Sequence, residues 1–356
     1  MSRTEDKIMR TSGVQAPVSD YEERALREVS RSFALTIPQL PPELRRQVTN
    51  AYLLCRIIDT IEDDESLSPD RKKFYFQEFL QVLDRKRPAG QFADSLYPLL
   101  SGRTLPEERD LIRNTPRVVE TTWSFSPKQQ AAMKRCCGTM VRGMEGFQLT
   151  RNPGGLRDVA EFHRYCYHVA GVVGEMLTEL FCEYSPEIAG HRKKLLSLAP
   201  SFGQGLQMTN IIKDLWEDRA HGSCWLPQDV FRAAGYDLQN LSPGHYTEAF
   251  GEGLGVLIGM ARGHLQNALA YTMIIPPRET GIRKFCLWAI GMAVFTLRKI
   301  NRKRDYRSGQ EVKISRRSVK AIIVLSNASL RSDFIVRNLF GLSTRGLPPP
   351  RPIPAA

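Results

Sequence analysis

From Asp20 onward the chain sets short polar breaks between long runs in which apolar residues recur every three or four positions, the period of an amphipathic helix. The spacing predicts a helix beginning at Asp20, with that residue as N-cap and Glu22 and Glu23 in a favourable first turn. Pro38, Pro41 and Pro42 break it, and Glu43 to about Glu62 forms the next. Further helices are expected near 70–86, 91–100, 107–122, 127–149 and 156–182, then over 187–217 with an interruption near Pro200. The last fall at 244–272, 279–299 and around 315–339. Strand-like alternation is scarce, and no Gly-x-Gly-x-x-Gly follows a plausible strand. An all-α, single-domain fold over 20–340 is therefore expected. Residues 1–19, polar and without periodicity, read as a flexible arm, and the proline-rich stretch 341–356 as a disordered tail.

Two of the predicted helices carry acidic clusters of one shape, Asp59-Thr60-Ile61-Glu62-Asp63 and Asp214-Leu215-Trp216-Glu217-Asp218. Positions i, i+3 and i+4 share a helix face, so each cluster presents three carboxylates side by side. Like charges that close repel unless protons or a cation neutralise them. Clustered carboxylate oxygens suit a hard divalent ion, and Mg²⁺ takes one or two carboxylates together with waters and substrate phosphate oxygens. The pair predicts a cavity in which Mg²⁺ holds a diphosphate. The first stripe extends back through Arg56 to Tyr52, which places a guanidinium one turn from the carboxylates, where it can bind diphosphate oxygens in bidentate fashion. The second extends back through Asn210, a neutral oxygen ligand, to Gln207, with Lys213 adding positive charge. One such cluster alone is as easily an exposed helix face. Two, both amid apolar residues and both with a cation beside them, make coincidence improbable.

Charge and cysteines narrow the class. A formal net charge of +12 fits anionic partners: a diphosphate, an acidic membrane surface or nucleic acid. The basic run from Arg298 to Lys320 supplies much of it, as a solvated face, a set of phosphate contacts or a lipid-facing patch. It lacks interleaved aromatics and any recognised binding motif, so nucleic-acid binding is not expected. The seven cysteines form no Cys-x-x-Cys pair and no zinc array, which suggests reduced core thiols in an intracellular protein. The most apolar stretch, 285–297, falls short of the roughly 20 residues a membrane span requires. Ser30-Arg31-Ser32-Phe33 is weak evidence alone. In Tyr165-Cys166-Tyr167-His168-Val169-Ala170-Gly171-Val172-Val173-Gly174, the small residues let helices approach closely or leave room for an apolar ligand. A tyrosine there serves proton transfer, cation–π stabilisation or simply the core.

Together these residues resemble the squalene/phytoene synthase family, and within it the squalene synthases. The matching pieces are Ser30 to Ala34, Tyr52 to Asp64, Tyr165 to Gly174, Thr209 to Asp218 and Val312-Lys313-Ile314, and the likeness spans roughly 20–325. The resemblance implies an isoprenoid-synthase helical fold with a central cavity and the two acid-bearing helices facing across it. It implies Mg²⁺ held by Asp59, Glu62, Asp63, Asn210, Asp214 and Asp218. It further implies that Arg31, Ser32, Phe33, Tyr52, Arg56, Gln207, Lys213, Lys313 and Arg316 contact substrate or the phosphates of NADPH. Tyr165 matches a tyrosine of the first half-reaction, so that Tyr165, Asp59, Asp63, Asp214 and Asp218 form the catalytic set.

The implied chemistry joins two molecules of farnesyl diphosphate head to head through presqualene diphosphate, then reduces the product with NADPH to squalene. Stopping at presqualene diphosphate, or losing a proton to give dehydrosqualene or phytoene, are the alternatives within the fold. A non-catalytic helical protein that binds membrane surfaces is the alternative outside it. Two departures touch phosphate or cofactor positions. Ser223 stands after Gly222 where the family shows arginine, and Ser315 stands where a basic residue is common, with Arg316 one step on. No counterpart of the C-terminal anchor of eukaryotic squalene synthases is expected. The expectation is a bacterial-type cytoplasmic enzyme, with peripheral contact at the inner face of the cell membrane for release of an apolar product.

Overall fold

Nineteen α-helices make up most of residues 20–30, 32–148 and 154–353, the part of the chain that the computed structural model describes. The first eight are α1 (Asp20–Val29), α2 (Phe33–Thr36), α3 (Pro42–Asp63), α4 (Pro69–Leu83), α5 (Ala89–Leu96), α6 (Pro106–Arg113), α7 (Thr115–Trp123) and α8 (Pro127–Gln148). Then come α9 (Val159–Cys166), α10 (Val172–Tyr184), α11 (Pro186–Ala189), α12 (Arg192–Lys213), α13 (Leu215–Ala220) and α14 (Gln228–Ala233). The chain ends with α15 (Glu248–Ile274), α16 (Thr280–Arg302), α17 (Gly309–Val312), α18 (Arg316–Ser329) and α19 (Asp333–Ser343). Among the described residues the only β pairing is an isolated bridge between Leu156 and Pro227. The expected all-α architecture is observed. The arm expected over 1–19 lies outside the described residues.

The breaks differ in instructive ways. The helix expected over 107–122 is two, because Pro116 has no N–H to continue the hydrogen bonding of α6 and instead sits in the first turn of α7, where that donor is not needed. Pro200 does not interrupt α12, which runs unbroken through it. Proline there removes one N–H donor, and packing of α12 against α15 and α10 outweighs that loss. The break falls instead at Asp214, between α12 and α13. The region 315–339 is also two helices, with Ser332 capping the second by accepting from the Ile335 N–H (3.4 Å).

The proline-rich end, expected as a disordered tail, is placed against α15 and α16 as far as residue 353. Arg262 donates to the carbonyls of Leu347 (3.0 Å) and Pro348 (2.9 Å), Asn301 donates to that of Gly346 (3.0 Å), and the Arg351 N–H donates to Gly259 (3.2 Å). Prolines cannot donate, but their carbonyls accept, and neighbouring helices supply the donors.

Two buried apolar clusters form the interior, one around α3, α4, α8 and α10, the other around α12, α15 and α16. Val169 and Phe202 pack against both and line the cavity between them. A π-helical turn at Tyr167–Gly171 joins α9 to α10. Here the small residues serve close approach: a Cβ on Gly174 would stand 2.2 Å from the Ala199 carbonyl oxygen, and one on Gly203 1.9 Å from that of Ala170. One described helix, α16, is long and apolar enough to cross a membrane, but 67% of its apolar window is buried inside the protein. All seven cysteines are buried and unpaired.

Candidate active site

The Tyr52, Arg56, Asp59 and Asp63 stripe of α3 faces a cavity of about 750 Å³, with Glu62 beside it. Proline at the start of α3 and Glu43 in its first turn favour the helix; Asp64 ends it in an extended conformation. Asp64 is a structural acid. Its carboxylate accepts from the N–H groups of Ser66 (2.9 Å), Leu67 (3.2 Å) and Ser101 (2.7 Å) and from the Thr104 hydroxyl (2.6 Å). Those bonds draw the loop carrying Arg103 and Thr104 to the cavity.

Gln207 and Asn210 of α12, Asp214 at the junction, and Glu217 and Asp218 of α13 line the same cavity. The junction keeps helical spacing, since the Asp214 N–H donates to Asn210 (2.8 Å) and the Asp218 N–H to Asp214 (2.9 Å). Behind it, Trp216 donates to the Tyr306 carbonyl (2.6 Å), and the fully buried Tyr306 hydroxyl donates to the Ile212 carbonyl. These anchors fix the carboxylates on the cavity side.

The two clusters sense each other. Asp218 is pushed up to about 7, by burial first and then by Asp214, Asp63 and Glu217, against Lys213. Asp59 is also pushed up to about 7, by burial first, with Asp63 and Glu108 adding and Arg56 opposing. Burial raises Asp214 too, against Lys213. Desolvated, mutually repelling carboxylates favour neutralisation. Oε1 of Glu217 accepts from the Gly309 N–H (2.9 Å), whereas Oε2 is buried without a hydrogen-bond partner. An oxygen donor set with an orphaned carboxylate atom fits a hard divalent cation. Among the described residues, no three His, Cys, Asp or Glu side chains converge as a self-sufficient metal site.

The expected cations are placed less uniformly. Arg56 pairs with Glu108 and, at 3.8 Å, with Asp59, so it enters the cavity already bracketed by carboxylates. Lys213 pairs with Asp214 (3.0 Å) and donates to Asn210 (3.4 Å). Arg31 lies outside the described residues. Phe33 lines the cavity and packs on Tyr52 at 5.3 Å. Ser32 is exposed and off the lining, and in the same turn Ser30 accepts from the Phe33 N–H (3.0 Å). Lys313 and Arg316 are likewise exposed and off the lining. The loop before them reaches the acid cluster through its Gly309 N–H, and their side chains point to solvent. Ser315 caps α18, accepting from the Ser318 N–H (3.1 Å), which accounts for a serine there. Ser223 lines the cavity with its hydroxyl buried and unpartnered.

Tyr165 sits between the clusters. Burial raises its phenol well above the usual range, and Glu62, Asp218 and Asp63 add to the shift. Its ring stacks on Trp225, with centroids 4.1 Å apart and planes 7° apart, and meets the edge of Phe147 at 5.2 Å. Both Tyr165 and Trp225 line the cavity. Away from the acids the walls turn apolar, with Met176, Phe181, Phe202, Leu206 and Phe285. Sequence reasoning missed Trp225 and Glu108. The Cys224-Trp225-Leu226-Pro227 element was visible, but its ring's partner was not. Glu108 comes from α6, far from Arg56 in sequence and without local periodicity to mark it.

Comparisons with known proteins agree with this geometry. The family pattern described as squalene/phytoene synthase matches residues 26–318. The chain is 32% identical over 275 residues to a squalene synthase of Eremothecium gossypii, covering 76% of this chain and 60% of that protein. It is 30% identical to the squalene synthase of Yarrowia lipolytica, covering 86% of this chain and 67% of the other. The chain thus spans about two thirds, or somewhat less, of the length of these relatives. A solved complex of TcSQS with a ligand shares the fold at a TM-score of 0.70, with 24% identity and coverage of 91% and 90%. A dehydrosqualene synthase complex shares it at 0.60, with 20% identity and coverage of 88% and 96%. With its twin acidic helices walling one cavity and its match over most of its length, the chain belongs to the squalene/phytoene synthase family.

Proposed function

We propose that the protein is a squalene synthase, a farnesyl-diphosphate farnesyltransferase. It condenses two farnesyl diphosphates head to head (1′–1) through presqualene diphosphate and reduces the product to squalene with NADPH. Two acid-bearing segments lining one cavity, with an apolar stretch of wall away from them, carry the proposal. The named relatives, squalene synthases at 30–32% identity, support it.

In this scheme Asp59, Glu62, Asp63, Asn210, Asp214 and Asp218 hold Mg²⁺, which when bound supplies Lewis-acid stabilisation of a departing diphosphate. Arg56 and Lys213 orient diphosphate oxygens, and Arg31, Lys313 and Arg316 are the candidates for outer phosphates, including those of NADPH, the hydride donor. The C1–O bond of the donor breaks with its electron pair leaving on diphosphate. The double bond of the second farnesyl chain attacks the allylic cation, and loss of a proton closes the cyclopropane. Tyr165 and Trp225, stacked on each other, both line the cavity, and their ring π electrons would stabilise a cation beside them. The apolar walls exclude the water that would trap that cation. Peripheral contact with the cell membrane would receive the apolar product.

Purified protein incubated with farnesyl diphosphate and Mg²⁺ should release diphosphate, and squalene should appear only when NADPH is added. Presqualene diphosphate or dehydrosqualene as the sole product in the presence of NADPH would remove the reductive step. Turnover of geranylgeranyl diphosphate in its place would make the enzyme a phytoene synthase.

A further inference from the structure

Of the nine large apolar side chains that stand exposed among the described residues, five lie on the last two helices: Val324, Leu325, Phe334, Ile335 and Leu342. Phe334 is 77% exposed, Val324 65% and Leu342 62%, so most of each side chain stands in solvent. On α19, Ile335 and Leu342 fall two turns apart on one side of the helix, and Phe334 lies about 100° round from Ile335, so the three span the exposed part of its circumference. On α18, Val324 and Leu325 share the exposed side with Arg317, Lys320 and Ala321. α18 and α19 pack on each other, so five of the nine exposed apolar side chains fall on one helix pair, a concentration that marks an interaction surface.

The charge around the group is one-sided. Between Arg317 and Arg345 the basic residues are Arg317, Lys320, Arg331, Arg337 and Arg345, all exposed. The single acid in that span is Asp333, and the fully buried Arg283 neutralises it. The helix pair is held down from below. Ile322 sits over Gly291 of α16, and Leu330 and Val336 pack with Leu269 and Leu287. The inner side of α16 carries Phe285, Cys286 and Ala289 into the apolar part of the cavity. One helix therefore separates the exposed surface from that part of the cavity.

We propose that the α18–α19 helix pair is a membrane-docking surface that seats Val324, Leu325, Phe334, Ile335 and Leu342 in the interface of an anionic bilayer, with the surrounding arginines and lysine on its lipid phosphates. Apolar side chains ringed by cations with no free acid match the chemistry of an interfacial, anionic-lipid contact. The same charge set opposes self-association, since a second copy would bring like charges together. The inference deepens the peripheral-membrane part of the proposed function, and rests on that reading only for the reason the enzyme would sit at a membrane.

The test is cosedimentation of the full chain, without substrate, with vesicles of phosphatidylglycerol and phosphatidylcholine, against vesicles of phosphatidylcholine alone. The protein should partition onto the anionic vesicles and be released by high salt. Phe334→Ser with Ile335→Ser should weaken partitioning at least tenfold, and Arg317→Gln with Lys320→Gln about fivefold per charge. Melting temperatures of the variants establish that they fold. Diphosphate release from farnesyl diphosphate without vesicles should match that of the parent, so a failed docking surface and a failed reaction are read apart. No partitioning of the parent onto anionic vesicles, or partitioning that neither double variant changes, overturns the proposal. So does a dimer in solution that Phe334→Ser with Ile335→Ser abolishes, because a second copy would then occupy the surface.

Discussion

Tyr165 lies flat on Trp225, 4.1 Å between centroids, in the one place where the phenol feels Glu62 and Asp63 from one acidic helix and Asp218 from the other. Both rings line the cavity beside the acids, a π-rich wall on which the allylic cation of the proposed reaction would be stabilised. Trp225→Ala should lower turnover about tenfold with a smaller change in KM, the scale of one desolvated cation–π contact, and Trp225→Phe should recover most of it. Steady-state kinetics on farnesyl diphosphate provide the check. Equal losses for the two variants would mean that the ring only fills space.

Asp218 ties stability to the proposed function. Its carboxyl titrates near 7 when folded against 3.8 as the ordinary value. Over that window the folded state binds more protons than the unfolded chain, so the group's contribution to stability is lost as pH rises from about 4 to 7. Asp218→Asn should therefore raise the melting temperature of metal-free protein at pH 8 and leave it little changed at pH 4. It should also abolish the rise in melting temperature that Mg²⁺ with inorganic diphosphate gives the parent. A lower melting temperature at pH 8 in the metal-free variant would show that the carboxylate is stabilised by partners, not strained by neighbours.

Most of this site was legible because helical periodicity is local. The stripes Tyr52, Arg56, Asp59, Asp63 and Gln207, Asn210, Asp214, Asp218 follow from spacing alone, and the structure turns both toward one cavity. What was not legible depends on distant pairing. Glu108 reaches Arg56 from another helix, and Asp64, adjacent to the cluster, is held by Ser101 and Thr104 across a loop. Pro200 looked like a break but lies in a helix that tertiary packing sustains. Ser32 sat in a matching motif, yet the turn uses Ser30 and leaves Ser32 in solvent.

Behind Tyr165, two buried histidines form a polar pair. His264 shares a hydrogen bond with His163 (3.3 Å) and another with the Ser201 hydroxyl (3.1 Å). Burial pushes His163 down to about 4 and His264 to about 3, the charge of His163 adding to the second shift. Below the ordinary value of 6.5 the unfolded chain binds protons that these rings refuse, so stability is lost as pH falls toward 4. Each histidine should add a slope of up to about 1.4 kcal/mol per pH unit. Urea denaturation at pH 4.5, 5.5 and 6.5 should show a shallower slope for His264→Gln by about one proton. Identical slopes would mean that the pair takes up its protons within the folded state.

The C-terminal strap makes the last prediction. Residues 347–353 have no helix of their own, and what holds them is the run of donors from Arg262, Asn301 and the Arg351 N–H, with Leu347 buried beneath. The approach is close: a Cβ on Gly259 would stand 2.5 Å from the Pro349 carbonyl oxygen. Any side chain there forces α15 and the strap apart, and the backbone bond from Arg351 to Gly259 breaks first. Gly259→Val should cost about 1–3 kcal/mol and expose the end of the chain to carboxypeptidase. Gly341→Ala, in α19 where an added Cβ meets nothing within 4 Å, should raise stability by up to about 1 kcal/mol and leave cleavage unchanged. Because the strap lies on the outer side of α15, Gly259→Val should leave KM for farnesyl diphosphate unchanged below its lowered melting temperature. A raised KM at such temperatures would couple the strap to the cavity wall through α15.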